Sequence, residues 1–178
     1  MAACITVRPI EEPADLAFLF EVYAGTRLEE LSVTGWSPAE IEAFLRSQFS
    51  AQHAYYREHY PDAELQIILA ADRPAGRLYV NHGAEEIRLV DLALLPAYRG
   101  QGIGSSLLDA LLAEGQRAGK PVTIHVEKLN RALRLYERLG FERIADRGVY
   151  WFLEWRPPRL VSASPQRQIS HLAYPFIR

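Results

Sequence analysis

The chain is short of the features that would give it away at once. It has one cysteine, Cys4, and one methionine in 178 residues, so no internal disulfide can staple it. No apolar run approaches the roughly 18 residues that a membrane-crossing helix needs. Neither sign of charge is in useful excess: 20 Lys and Arg face 22 Asp and Glu, a net charge of -2. That balance leaves no electrostatic footprint for wrapping nucleic acid or coating anionic lipid. No Gly-x-x-x-x-Gly-Lys-Ser/Thr string occurs, which removes the nucleoside triphosphate loop. No repeat of fixed period and no low-complexity tract is found, which argues against a tandem array. The opening MAACITVRPI has neither the basic segment nor the apolar stretch of a secretory leader and reads as an early strand. These absences predict a cytoplasmic protein without a nucleic-acid or membrane partner and without a metal.

What is present is ordinary for a globular protein: 49% apolar and 24% charged residues. The length fits one domain able to bury a core unaided. Residues 1–156 are expected to form that domain. Residues 157–178 read as a basic tail, docked or loose, because from Arg156 onward the chain has four arginines, no acid and frequent Pro and Ser.

Hydrophobic periodicity gives a mixed α/β order. Residues 4–10 alternate as a strand, and Leu16, Leu19, Phe20 and Tyr23 recur at helical spacing. Ser37, Pro38 and Glu40 make a capping box with proline at the first helical position, opening a helix over 38–58. Residues 65–71 and 78–80 read as strands joined by a hairpin in Asp72-Arg-Pro-Ala-Gly76. Residues 86–95 form a central strand, 102–118 a helix stopped by Gly119 and Pro121, and 122–126 another strand. A helix over 131–139 and a closing hairpin around Asp146-Arg-Gly148 follow.

The most informative stretch is LVDLALLPAYRGQGIGSSLL, where a strand runs through Arg99, Gly100, Gln101, Gly102, Ile103 and Gly104 directly into a helix. Glycines let backbone approach a phosphate closely, and amides at a helix start carry about half a positive charge. A dinucleotide fold competes for this pattern, since Gly100-x-Gly102-x-x-Ser105 approximates its fingerprint and Glu127 follows about 20 residues on. Against it, the third glycine is a serine and only one such strand-helix-strand unit is present. A plain tight turn, with Arg99 in solvent, is the other reading.

The stretch resembles the acyl-coenzyme A binding motif of the GCN5-related N-acetyltransferases, whose core is Arg/Gln-x-x-Gly-x-Gly/Ala. A second string, Asn130-Arg-Ala-Leu-Arg-Leu-Tyr136-Glu-Arg-Leu-Gly140-Phe141, resembles that family's downstream segment. Asparagine precedes tyrosine here by six residues rather than seven. The resemblance covers residues 5–155 and is strongest at 88–108 and 130–141. It implies a single domain with a central, mostly antiparallel twisted sheet, splayed between the strands at about 87–95 and 121–127 and flanked by helices. It also implies acetyl-CoA as cosubstrate, with the backbone of Leu92, Ala93 and Leu94 on the pantetheine arm and acyl carbonyl. The turn from Arg99 and Gly100 through Gln101, Gly102, Ile103 and Gly104 to Ser105 would take the pyrophosphate. A homodimer is within the family's range.

Tyr136 is implied as general acid toward the departing thiolate. A phenol titrates near 10, so it holds its proton at neutral pH. Leu133, Tyr136 and Leu139 also have core spacing, so the ring can pack and act. Asn130 either caps its helix or also touches the pantetheine arm. Keeping a lysine-like amine neutral at pH 7 costs roughly 4 to 5 kcal/mol. Asp91 and Glu127, the acids on the two central strands, are the candidate bases, directly or through water. The amine is not named by the sequence; Glu29, Glu30, Trp36, Tyr55, Tyr56 and Tyr150 lie in segments expected to border it. A module of the same fold that binds acyl-CoA without turnover is the alternative function.

Overall fold

The structure, a computed structural model, describes residues 4–158. The tail expected beyond 156 lies almost wholly outside the described residues. In chain order the elements are β1 (Ile5–Pro9), α1 (Leu16–Leu31), α2 (Pro38–His59), β2 (Glu64–Ala70), β3 (Arg73–His82), β4 (Ile87–Leu94), a 3-10 turn (Pro96–Tyr98), α3 (Ile103–Ala118), β5 (Val122–Glu127), α4 (Leu133–Arg138), β6 (Glu142–Arg147) and β7 (Tyr150–Trp155). The seven strands form one sheet in the order β1-β2-β3-β4-β5-β7-β6. Every neighbouring pair is antiparallel except β4 and β5. This arrangement is not the all-parallel sheet of a dinucleotide fold.

The parallel pair is the hinge of the architecture. Its register runs Ile87 to Val122, Arg88 to Thr123 and Leu89 to Ile124, and stops there. Past Leu89 the two central strands part, so β4 from residue 90 to 94 has a strand neighbour only on its β3 side. Helices cover both faces. Leu108, Leu111 and Leu112 of α3, with Tyr136 of α4, pack on Ile87, Leu89, Val122, Ile124, Val126 and Leu153. On the opposite face Leu19 and Tyr23 of α1 and Leu45 and Phe49 of α2 close over Ile67. Alternation along β2 serves both layers, since Ile67 joins the α1–α2 side and Ile68 joins the cluster containing Ile103.

Local chemistry explains most boundaries. In the capping box of α2, Ser37 Oγ accepts from the Glu40 amide, and a Glu40 carboxylate oxygen accepts from the Ser37 amide at 2.8 Å. α3 ends at Gly119, left-handed at φ 65°. The β2–β3 hairpin departs from expectation. Its turn is Ala71-Asp72, with φ of 47° and 60°, two positive values as a two-residue hairpin turn requires. Arg73 and Pro74 already belong to β3. The register there jumps from Ile68 opposite Gly76 to Leu69 opposite Pro74. Ala75 is therefore the extra residue of a bulge, and Pro74, opposite Leu69 beside it and second in the strand, sits where a missing N–H is tolerated. Among the described residues no helix is long and apolar enough to cross a membrane.

Candidate active site

The site is built where β4 and β5 separate. At the end of β4 the chain makes the 3-10 turn, then places Gly100 at φ 71° and Gly102 at φ 80°. A methyl group at Gly100, Gly102 or Gly104 would meet nothing within 4 Å, so these positions face open space. No side chain caps α3 and its first turn has no acid. The first amide there with a backbone acceptor is that of Ser106, to the Gly102 carbonyl at 2.9 Å. Among the described residues no acceptor is found for the amides of residues 100–105. That row of unused donors fits an anionic diphosphate, as the helix-terminus physics requires.

The side chains around the turn brace it. Arg99 Nε donates to the Leu94 carbonyl and its Nη2 to the Gly25 carbonyl, each at 2.9 Å, tying the turn to α1. Gln101 Nε2 donates to the Ala97 carbonyl at 2.6 Å. Leu92 and Leu94 pack toward Ile103, while Ala93 is buried. Asn130 is exposed, and its Oδ1 accepts from the Ala132 amide at 2.8 Å; it forms an Asx turn ahead of α4 rather than the expected helix cap, since the N-cap position is Ala132 and carries no side-chain cap.

Tyr136 is buried in the core below α3, its ring edge-on to Phe141 with centroids 5.5 Å apart. Its hydroxyl makes no hydrogen bond among the described residues. Burial pushes its pKa well above the usual phenol value, and the negative charge of Asp91 adds to the rise.

Asp91 is where strand parity misleads. Tyr79 pairs with Asp91 but Val80 pairs with Leu89, so Val90 is an extra residue in β4. This bulge turns Asp91 off the face that Leu89 shares with α3 and onto the face of α1 and α2. There Arg77 Nη2 donates to Asp91 Oδ2 at 2.6 Å, with side-chain exposures of 4% and 15%. The same guanidinium nitrogen donates to Gln52 Oε1 at 2.8 Å, and Tyr56 Oη donates to Asp91 Oδ2 at 3.2 Å. Desolvation pushes the Tyr56 phenol up, helped by the charge of Asp91. The Tyr79 hydroxyl, without a partner, is pushed up to about 12 by burial.

Glu127, at the end of β5, is held by Arg27 of α1. Nη2 donates to Oε1 at 2.6 Å and Nη1 to Oε2 at 3.2 Å, so both carboxylate oxygens are engaged. The pair crosses the opening from α1 to β5. Arg27 has its pKa raised, first by the Glu127 hydrogen bond. Beside it lies a cavity of about 330 Å³ lined by Tyr23, Arg27, Gln48, Ala51, Gln52, Tyr55, Tyr56 and Tyr150. Neither Glu29 nor Trp36, both exposed, lines it. Glu30 borders an adjoining cavity of about 270 Å³ with Tyr23, Arg27, Leu31, Phe44 and Gln48. Sequence reading missed Arg27, Arg77 and Gln52; no local signal marks their place in the site, because the contacts that set it, Arg27 with Glu127 and Arg77 with Asp91 and Gln52, cross between elements. No group of three or more metal-ligating side chains gathers among the described residues.

A splayed β4–β5 pair, an uncapped α3 behind a glycine turn and a tyrosine beneath them together define a class of protein. The model of a family described as acetyltransferase (GNAT) domain matches residues 33–157. The chain belongs to this family. Among curated relatives, a ribosomal protein bS18-alanine N-acetyltransferase of Haemophilus influenzae is 34% identical over 68 residues, 38% of this chain and 47% of that protein. A mycothiol acetyltransferase of Clavibacter sepedonicus is 38% identical over 76 residues, 42% of this chain and 24% of that protein. The chain thus spans less than half the length of either. Among solved structures, the PaiA N-acetyltransferase of Thermoplasma acidophilum in complex with coenzyme A has a TM-score of 0.65 at 21% identity, covering 86% of this chain and 99% of that one. An acetyltransferase of Thermus thermophilus has a TM-score of 0.62 at 20% identity, covering 88% and 99%. At these identities the likeness is one of fold.

Proposed function

We propose that this chain transfers an acetyl group from acetyl-CoA to a primary amine by direct attack. The observation that carries the reading is the row of partnerless amides at residues 100–105, set at the mouth of the β4–β5 splay above Tyr136. Acetyl-CoA, when bound, supplies an acyl group activated as a thioester.

The chain's own residues divide the remaining work. Amides 100–105 hold the pyrophosphate, and Arg99 keeps their turn in place through Leu94 and Gly25. The β4 edge at Leu92, Ala93 and Leu94 offers main-chain groups to the extended pantetheine arm, as a strand would. Asn130, its Oδ1 committed to the Ala132 amide, has its amide N–H groups left for that arm. Tyr136 holds a proton at Oη for the departing thiolate, and a phenol keeps that proton at neutral pH. The cavity beside Tyr56 admits the amine. Of the two carboxylates, Asp91 is the better placed to receive a proton through water, because its Oδ1 has no hydrogen-bond partner among the described residues, whereas both oxygens of Glu127 are held by Arg27. The reaction belongs in the cytoplasm, and a homodimer is compatible with it.

Incubating the protein with acetyl-CoA and a panel of small amines and peptides, and following free thiol, tests the reading. Acceptor-dependent thiol release is expected. Tight coenzyme A binding with no release from any acceptor would move the chain to a non-catalytic acyl-CoA-binding module. Gly102→Asp is expected to abolish coenzyme A binding in calorimetry with the fold intact, since it puts bulk, charge and an unfavourable backbone at the phosphate site. Unchanged affinity would sink the pyrophosphate assignment.

A further inference from the structure

We propose that Tyr56 orients the acceptor amine: its hydroxyl oxygen accepts an N–H of the nucleophile because Asp91 holds the phenolic proton. The inference rests on the acetyl-transfer reading above and adds a substrate-touching residue to it. Tyr56 belongs to α2 and lines the 330 Å³ cavity. Its ring is fixed edge-on against Tyr79, with centroids 5.7 Å apart and planes at 88°.

The direction of the hydrogen bond follows from the charges behind it. Arg77 is buried and donates to Asp91 Oδ2 at 2.6 Å. A carboxylate in that pair is ionised, and an ionised carboxylate accepts only. Tyr56 must therefore be the donor across 3.2 Å, a long contact that a substrate pressing from the cavity side would shorten. With its single proton committed, the phenolic oxygen has only lone pairs left for a ligand in the cavity that Tyr56 lines. A lone pair there receives an amine N–H and rejects a hydrogen-bond acceptor. Holding one N–H fixes the orientation of the nitrogen, so its own lone pair can be aimed toward the β4 edge, where Asp91 is followed at once by Leu92. Asp91 also acts electrostatically on Tyr136, so the carboxylate has one phenol on the acceptor side and the other on the leaving-group side.

Tyr56→Phe removes the oxygen and keeps the ring. With the amine that gives the fastest thiol release from the wild-type protein, kcat/KM for the amine is expected to fall about ten- to hundredfold, the scale of a misoriented reactant. Coenzyme A affinity by calorimetry and Tm are expected to stay at wild-type values. Asp91→Asn, which can donate to Tyr56 and turn the phenolic proton into the cavity, is expected to lower kcat/KM for the amine further than Tyr56→Phe does, because it also removes the proton acceptor. Retention of amine kcat/KM within about twofold in Tyr56→Phe overturns the proposal and leaves the acetyl-transfer reading standing. A parallel loss of coenzyme A affinity and Tm also overturns it, by making Tyr56 a packing residue. Absence of thiol release from the wild-type protein with every acceptor defeats the acetyl-transfer reading itself.

Discussion

Tyr136 shows how one residue answers to two demands. Its ring belongs to the core with Leu108, Val126 and Phe141, and its hydroxyl takes no partner there. Tyr136→Phe keeps the packing and removes the proton, so Tm is expected to stay within about 2 °C, the shift of a ΔΔG below 1 kcal/mol. Acceptor-dependent kcat is expected to fall about 10²- to 10⁴-fold if the phenol is the general acid. Stopped-flow thiol release with saturating acetyl-CoA measures it, and an unchanged kcat would return Tyr136 to a purely structural role. The residue was legible in the string Asn130 to Phe141, as was the turn from Arg99 to Gly104. Asp91 was legible only as an acid on a central strand. Which face it took depended on the single extra residue at Val90, and a one-residue shift in strand parity leaves no mark in composition. Arg77 was invisible for another reason: it lies between the expected hairpin and the expected strand 78–80, and only the fold buries it against Asp91.

At the scale of elements, capping and periodicity carried most of the information. α2 began at Pro38 and α3 stopped before Gly119, both as the sequence chemistry dictates. The hairpin between β2 and β3 was placed too late because Pro74 and Gly76 are strong turn residues, whereas Ala71, which shares the positive φ values with Asp72, is not. Pro74 pairs with Leu69 next to the bulge at Ala75, so the strand absorbs it near its start. α2 matters to the site because Gln52 and Tyr56 hang from it, about four and five turns beyond its cap. Ser37→Ala is expected to cost about 1 kcal/mol and to lower Tm by about 2 to 4 °C. It is expected to leave coenzyme A affinity unchanged, because the lost hydrogen bonds lie at the far end of the helix. Thermal melts with and without coenzyme A separate the two. A loss of coenzyme A affinity would show that α2 is coupled to the turn at residues 100–105.

For the whole molecule, three desolvated phenols set a limit on alkaline stability. Tyr56, Tyr79 and Tyr136 all have raised pKa values, with desolvation the largest cause in each. In the unfolded chain a tyrosine loses its proton near 10. Between about pH 10 and the folded values, the unfolded state therefore binds fewer protons than the folded state, and stability falls as pH rises. The contribution of these groups is fully present below pH 10. It is lost as pH climbs, through about 12 for Tyr79, and likewise for the other two, both of which are raised. Each proton contributes a slope of about 1.4 kcal/mol per pH unit, so three acting together would bring cooperative unfolding soon after pH 10 is passed. The chain has nine tyrosines, and phenolate absorbance can be followed alongside circular dichroism from about pH 9 to 12. The expected outcome is an early phase from exposed tyrosines and a late phase that coincides with loss of structure. Tyr79→Phe should shallow the fall of Tm with pH by about one proton's worth, because its hydroxyl is sealed in the sheet without a partner. If all nine titrate in one phase near 10 while the fold persists, the two helical layers do not keep water from the phenols, and the dry environment assigned to Tyr136 is wrong as well.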